Sequence, residues 1–168
     1  MKKVGLLCLI LMTTCFSSCE KDDICVDGET PLLVINFYAF DAEEETEKAV
    51  TKLRVVGDGK DTTVDTVIDR TDLKTISIPL QTDTTSTTYN LISNSATNDA
   101  DEETGNADTI TFNYTTDEIY ISRACGFVIH FDELTATLAV DTDNWIKNVE
   151  VVETLVENQA VTHVKIYH

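Results

Sequence analysis

Three of the five cysteines stand where a thiol has chemistry to do. Cys19 follows two cations, Lys2 and Lys3, a mostly apolar run from Val4 to Phe16, and the small pair Ser17-Ser18. A cationic start, an apolar stretch of about 7–15 residues and small residues before a cut define a secretory signal peptide. The run falls short of the ~20 apolar residues that a membrane-spanning helix requires. Beyond the cut, Cys25 and Cys125 accompany Cys19, and in an exported chain such a pair is expected to form a disulfide. Closing a loop of about 100 residues stabilises a fold by up to ~4.7 kcal/mol in the chain-entropy model. Redox catalysis needs a Cys-x-x-Cys arrangement, and a zinc site needs more thiols or paired histidines. Neither pattern occurs in the chain.

The other reactive side chains are plentiful but unorganised. His130, His163 and His168 are isolated from one another. Period-two alternation puts His163 with Lys165, opposite Val164 and Ile166, so both are expected to face solvent. There is no Gly-x-Ser-x-Gly elbow, phosphate-binding loop, His-Glu-x-x-His pair or dinucleotide fingerprint. Asp41 to Glu47 and Asn98 to Glu103 are acidic clusters that could offer oxygens to calcium, which takes six to eight. Neither has EF-hand spacing, because counting from Asp99 places Gly105 at position seven and Ile110 at position twelve. Solvated loop charge is the expectation. No catalytic residue, metal site or cofactor is assigned, and the chain reads as a non-enzyme.

Charge narrows the partners. Twelve Lys and Arg against thirty Asp and Glu give a net charge of −18, and loss of residues 1–18 removes two more cations. Such a molecule repels nucleic acids and anionic surfaces, so nucleic-acid binding is excluded.

The elements that carry these residues read as strands. Leu32 to Phe40 is apolar on both alternating faces, the signature of a central strand covered on two sides. Val50 to Val56 stops at Gly57-Asp58-Gly59, and Thr63 to Ile68 follows. Thr75 to Leu80 turns Ile76, Ile78 and Leu80 inward, and Pro79 places it at an edge. After Thr87 to Ser93, residues Asn94 to Asp108 have no apolar period and are expected to form a long mobile loop. Thr109 to Tyr114 and Glu118 to Arg123 read as a hairpin turning at Thr115-Thr116-Asp117, and Gly126 as a bulge before Phe127 to Phe131. Asp132 to Val140 has room for a helical turn, and Trp145 to Leu155 with Val161 to Tyr167 for a closing hairpin. About nine short strands without an amphipathic helix predict an all-β antiparallel sandwich, immunoglobulin-like or transthyretin-like.

The thiol at Cys19 also has a position that resembles the acylation site of bacterial lipoprotein signals, although Phe16 departs from the aliphatic residue usual three places before the cysteine. Glu20-Lys21-Asp22-Asp23 looks like the acidic export tag of Bacteroidetes surface lipoproteins, and Asp-Thr-Val (65–67) and Asp-Thr-Ile (108–110) resemble their O-glycosylation sites. Together with Thr-Pro-Leu-Leu (30–33), Leu-Arg-Val-Val-Gly (53–57), Ser-Arg-Ala-Cys-Gly-Phe (122–127) and Val-Lys-Ile-Tyr-His (164–168), the chain resembles an uncharacterised Bacteroidetes lipoprotein family of unknown function. The resemblance implies a signal peptide at 1–18, a lipidated tether at 19–30 and a β-sandwich domain at 31–168, on the outer membrane and facing out of the cell. Expected partners are the membrane, through the lipid, and an envelope protein or glycan that meets aromatic anchors such as Tyr38, Tyr120 or Trp145. The alternative is a structural subunit held in an envelope assembly by β-edge pairing.

Overall fold

A strand buried on both faces has to be flanked by strands in its own sheet and covered above and below, and Leu33–Tyr38 organises the molecule in this way. The computed structural model describes Cys25 and residues 28–168, so Cys19, the signal peptide and most of the tether lie outside the described residues. Among the described residues there are nine strands and no helix: β1 (Leu33–Tyr38), β2 (Val50–Gly57), β3 (Thr71–Leu73), β4 (Thr75–Ile78), β5 (Ser86–Ser93), β6 (Asn106–Ser122), β7 (Gly126–Leu138), β8 (Asn148–Val151) and β9 (Val164–Tyr167). They form a four-stranded sheet, β4-β1-β9-β8, and a five-stranded sheet, β3-β2-β5-β6-β7. The expected all-β sandwich of about nine strands is what folds, with one exception to antiparallel pairing. β1 and β9 run parallel, Ile35 beside Val164 and Phe37 beside Ile166.

The core lies between the sheets. Leu33, Ile35 and Phe37 of β1, Ile76 and Ile78 of β4, and Val164 and Ile166 of β9 meet Leu53 and Val55 of β2, Leu91 of β5, Ile110 and Phe112 of β6, and Phe131 of β7. Fully burying one such side chain contributes about 1.5–3 kcal/mol. β4 is an edge strand, as Pro79 requires, and its inward residues Ile76 and Ile78 are buried.

Four local expectations are overturned. Residues 63–68 make turns with a single bridge, Thr63 to Val56, and the edge partner of β2 is the short β3. Thr115-Thr116-Asp117 is not a turn, because β6 runs straight through it for 17 residues. The irregularity lies on the partner strand, where the register shifts opposite Asn113 and Thr115 and Glu133 takes a φ of 55°. An extra residue on one strand bends the ladder without ending it. Asp132 to Val140, given room for a helical turn, holds none, and its residues up to Leu138 are the second half of β7. The chain reverses instead at Arg123-Ala124-Cys125, and Gly126, with φ of 72°, opens β7 beside the register shift between Tyr120 and Ser122.

The fourth concerns His163, which is fully buried rather than solvent-facing. It stands just before β9, where its ring turns inward and Nδ1 accepts the Val34 N–H at 3.0 Å, while the His163 backbone N–H donates to Val34 O at 3.0 Å. The imidazole extends the β1–β9 pairing by one rung. Burial holds its pKa below the usual 6.5, against a weaker upward pull from Glu153, so the ring stays neutral.

Candidate functional site

Two places bring polar or reactive side chains together. The first is the segment between β5 and β6, and it is folded tightly rather than loose. Its centre is the Glu103 carboxylate. Oε1 accepts the backbone N–H groups of Ala96, Thr104 and Gly105 at 3.0, 3.1 and 2.9 Å. Oε2 accepts from the Ser95 hydroxyl at 2.8 Å, from Arg54 at 3.2 Å and from Arg70 at 3.3 Å. Arg70 also donates to Ser95 Oγ and to Thr97 Oγ1, and Arg54 to the Asp61 carbonyl. Burial pushes the Glu103 pKa upward, but the donors from Gly105, Ser95, Ala96 and Arg70 outweigh it and bring the carboxyl down to about 2.

A second ring of contacts closes the segment. Asn98 Oδ1 accepts the N–H groups of Ala100 and Glu102, and a bridge joins Thr97 to Glu103. Gly105 has no room for a side chain, since a Cβ there would lie 2.7 Å from Ser93 O and 2.8 Å from Ser95 Cα. The acidic run that resembled a calcium loop thus spends its central carboxylate on two guanidinium groups. Among the described residues no group of three His, Cys, Asp or Glu side chains is placed to hold a metal ion.

This cluster walls an open cleft of about 660 Å³ lined by Arg54, Lys60, Asp61, Asp69, Arg70 and Asn90, among others. A neighbouring cleft of about 690 Å³ shares Lys60 and runs along Thr62–Thr66, Gln81 and Thr87–Tyr89. The Tyr89 hydroxyl on its wall donates to Pro79 O, and burial pushes that phenol up to about 12. His130 lines neither cleft and sits opposite Asp117 on the β6–β7 ladder.

The second place is the β6–β7 turn. Cys25 and Cys125 form the expected disulfide, with Cα atoms 4.9 Å apart. Cys125 belongs to the turn itself, so the bridge fastens the start of the domain to a hairpin tip. Gly28 packs on it so closely that a Cβ would lie 2.2 Å from Cys25 Sγ. Thr30 continues the attachment, its hydroxyl accepting the Ile129 N–H at 3.2 Å. On the same tip Tyr120 faces Phe127 across the ladder, ring centroids 5.3 Å apart, and both rings are exposed.

A family model described as Family of unknown function (DUF6452) matches residues 52–168. The chain belongs to this family. The DUF6452 match begins inside β2 and includes Arg54, Arg70, Glu103 and Cys125, whereas β1 and Cys25 precede it. No curated protein and no solved structure matches the chain.

Of the residues singled out in the sequence, Cys25 and Cys125 are brought together and Cys19 lies outside the described residues. Tyr38 is buried and pairs with Tyr167, and Trp145 is half-buried, with its Nε1 donating to Leu91 O at 3.1 Å. Tyr120 alone of the three suggested anchors is free at the surface. Asp108 is fully buried and Thr109 donates to Asn90 Oδ1, so residues 108–110 are built into the ladder, whereas Thr66 is exposed. Arg54 and Arg70 were missed. Their one sequence-level signal was that cations are few in so acidic a chain.

Proposed function

We propose that this DUF6452 chain is a lipid-anchored envelope protein of the Bacteroidetes type, acting without catalysis as a binding or accessory module at the outer membrane. One observation carries the reading: the Cys25–Cys125 bridge closes six residues after Cys19 and ties that end of the chain to the domain. Disulfides persist in oxidising compartments, which the signal-like residues 1–18 would reach. Three of the perturbed groups support a non-catalytic role, because they have structural tasks. Glu103 folds its segment, His163 completes a ladder, and buried Asp108 accepts the Ile146 N–H at 2.8 Å.

The two open clefts on the β2–β5 side are the surface offered to an envelope protein or glycan. An assembly subunit joined by strand pairing would need a free sheet edge. On β7 the outer edge is already engaged at Ile129 by Thr30, at Phe131 by Val156 and at Leu134 by Thr154, which leaves β3, β4 and β8 as the edges such a subunit would use. Metabolic labelling with palmitate tests the anchor. Label on the wild type and none on Cys19→Ala is expected; label on both, or on neither, refutes it.

A further inference from the structure

We propose that the β6–β7 tip is a second membrane contact, with Tyr120, Ile121 and Phe127 seated in the headgroup layer of the bilayer that holds the anchor. The inference rests on lipidation at Cys19. Its first support is exposure. Tyr120 is 55% exposed and Phe127 63%, and their register joins the two rings into one apolar surface, while Ile121, 37% exposed, adds an apolar side chain on the other face of the tip. Exposed apolar side chains scattered singly are ordinary, but a contiguous cluster marks a place where something docks. Aromatic rings that combine an apolar body with one polar group favour the membrane interface, and Tyr is enriched there.

The second support is charge. Tyr120 to Phe127 contains Arg123 and no carboxylate, in a chain with thirty Asp and Glu. Most of this molecule's surface is repelled by anionic headgroups, whereas the tip itself carries no carboxylate to oppose its approach.

The third support is reach, and it selects the occupant. Cys25 is bonded to Cys125, two residues from Phe127. Six residue steps separate Cys19 from Cys25, which at full extension span at most ~22 Å. The tip therefore cannot leave the neighbourhood of the acyl chains, and a partner protein would have to occupy that narrow gap. Anchoring by lipid and by an interfacial side-chain patch together is stronger than either alone.

The test uses the full lipidated chain in phosphatidylcholine–phosphatidylglycerol vesicles doped with a headgroup-proximal nitroxide lipid. Tyr120→Trp in a Trp145→Phe background reports on the tip, Phe127→Trp in the same background gives an independent second reporter, and Trp145 in the unsubstituted chain is the reference. Thermal unfolding confirms that each variant is folded. Nitroxide quenching of the tip indole several-fold above that of Trp145, with protection from aqueous acrylamide, is expected. A vesicle-bound protein whose tip indole remains open to acrylamide and unquenched by nitroxide overturns this proposal while leaving the anchor intact. Protection that rises with protein concentration without lipid assigns the tip to a second copy, and protection seen only in native envelopes assigns it to a protein partner; either overturns it. Failure to float with vesicles, or a mass lacking acyl chains, overturns the anchor and this proposal together.

Discussion

Glu103→Gln separates the charge of the central carboxylate from its shape. The wild-type carboxyl sits at about 2 instead of 4.5, which at full value corresponds to about 3 kcal/mol of stability. Its side chain is 26% exposed, so solvent screening reduces the working figure to about 1–2 kcal/mol. An amide also turns one NH2 toward either the arginines or three backbone N–H groups, adding about 1 kcal/mol of mispaired donors. The expected total at pH 7 is therefore roughly 2–3 kcal/mol. Because the folded carboxyl is depressed, its contribution is complete above 4.5 and disappears as pH falls through about 2. Urea unfolding of both proteins at pH 7 and at pH 2 measures this directly. The gap in stability should narrow by about 1–2 kcal/mol at the acid end, leaving only the mispairing. An equal gap at both pH values would refute the assignment of Glu103 as an ionised hub for Arg54 and Arg70.

Cys125→Ser should cost about 2–5 kcal/mol in urea unfolding under non-reducing conditions, and wild-type protein treated with reductant should match it. Gly105→Ala drives a methyl into the backbone at Ser93 and Ser95 and should cost about 1–3 kcal/mol, read as a lowered melting temperature; an unchanged melt contradicts the packing described. His163 has a pKa held below 6.5 by burial, so wild-type stability should decline as pH drops from 7 to 5. His163→Asn places an amide oxygen near Val34 N–H and should flatten that decline in denaturant midpoints, with half-buried His168, also held low by desolvation, accounting for the remainder. The same slope in both proteins would show that His163 does not titrate against folding.

The parts of this fold that were legible in the sequence are those whose cause is local. Leu33–Tyr38 is apolar on both faces because it is sandwiched, and Pro79 marks an edge because it cannot donate. The cysteine pair was legible because, once export is expected, two thiols have few alternatives to pairing. What escaped depends on distant partners. Thr115-Thr116-Asp117 has turn-forming composition, yet a bulge around Glu133 on the facing strand absorbs the irregularity and lets β6 continue. His163 obeys strand alternation on paper, but it precedes β9 and its ring finds Val34, 129 residues away. Arg54 and Arg70 reach Glu103 across 49 and 33 residues, and no window of sequence shows those pairs. The acidic segment was therefore legible as acidic and not as a folded knot around one carboxylate.

The side-by-side, same-direction alignment of β1 and β9 sets the order in which this molecule can be completed. β1 belongs at the middle of its layer, yet one of its two neighbours is made from residues 164–167. A chain that lacks residues 163–167 has Leu33–Tyr38 with one flank unpaired and Val34 N–H without its imidazole. In such a chain β1 is held by β4 alone, and β8 has no strand to pair with. Removing the last five residues should for the same reason unzip the centre of a layer and not merely fray its margin.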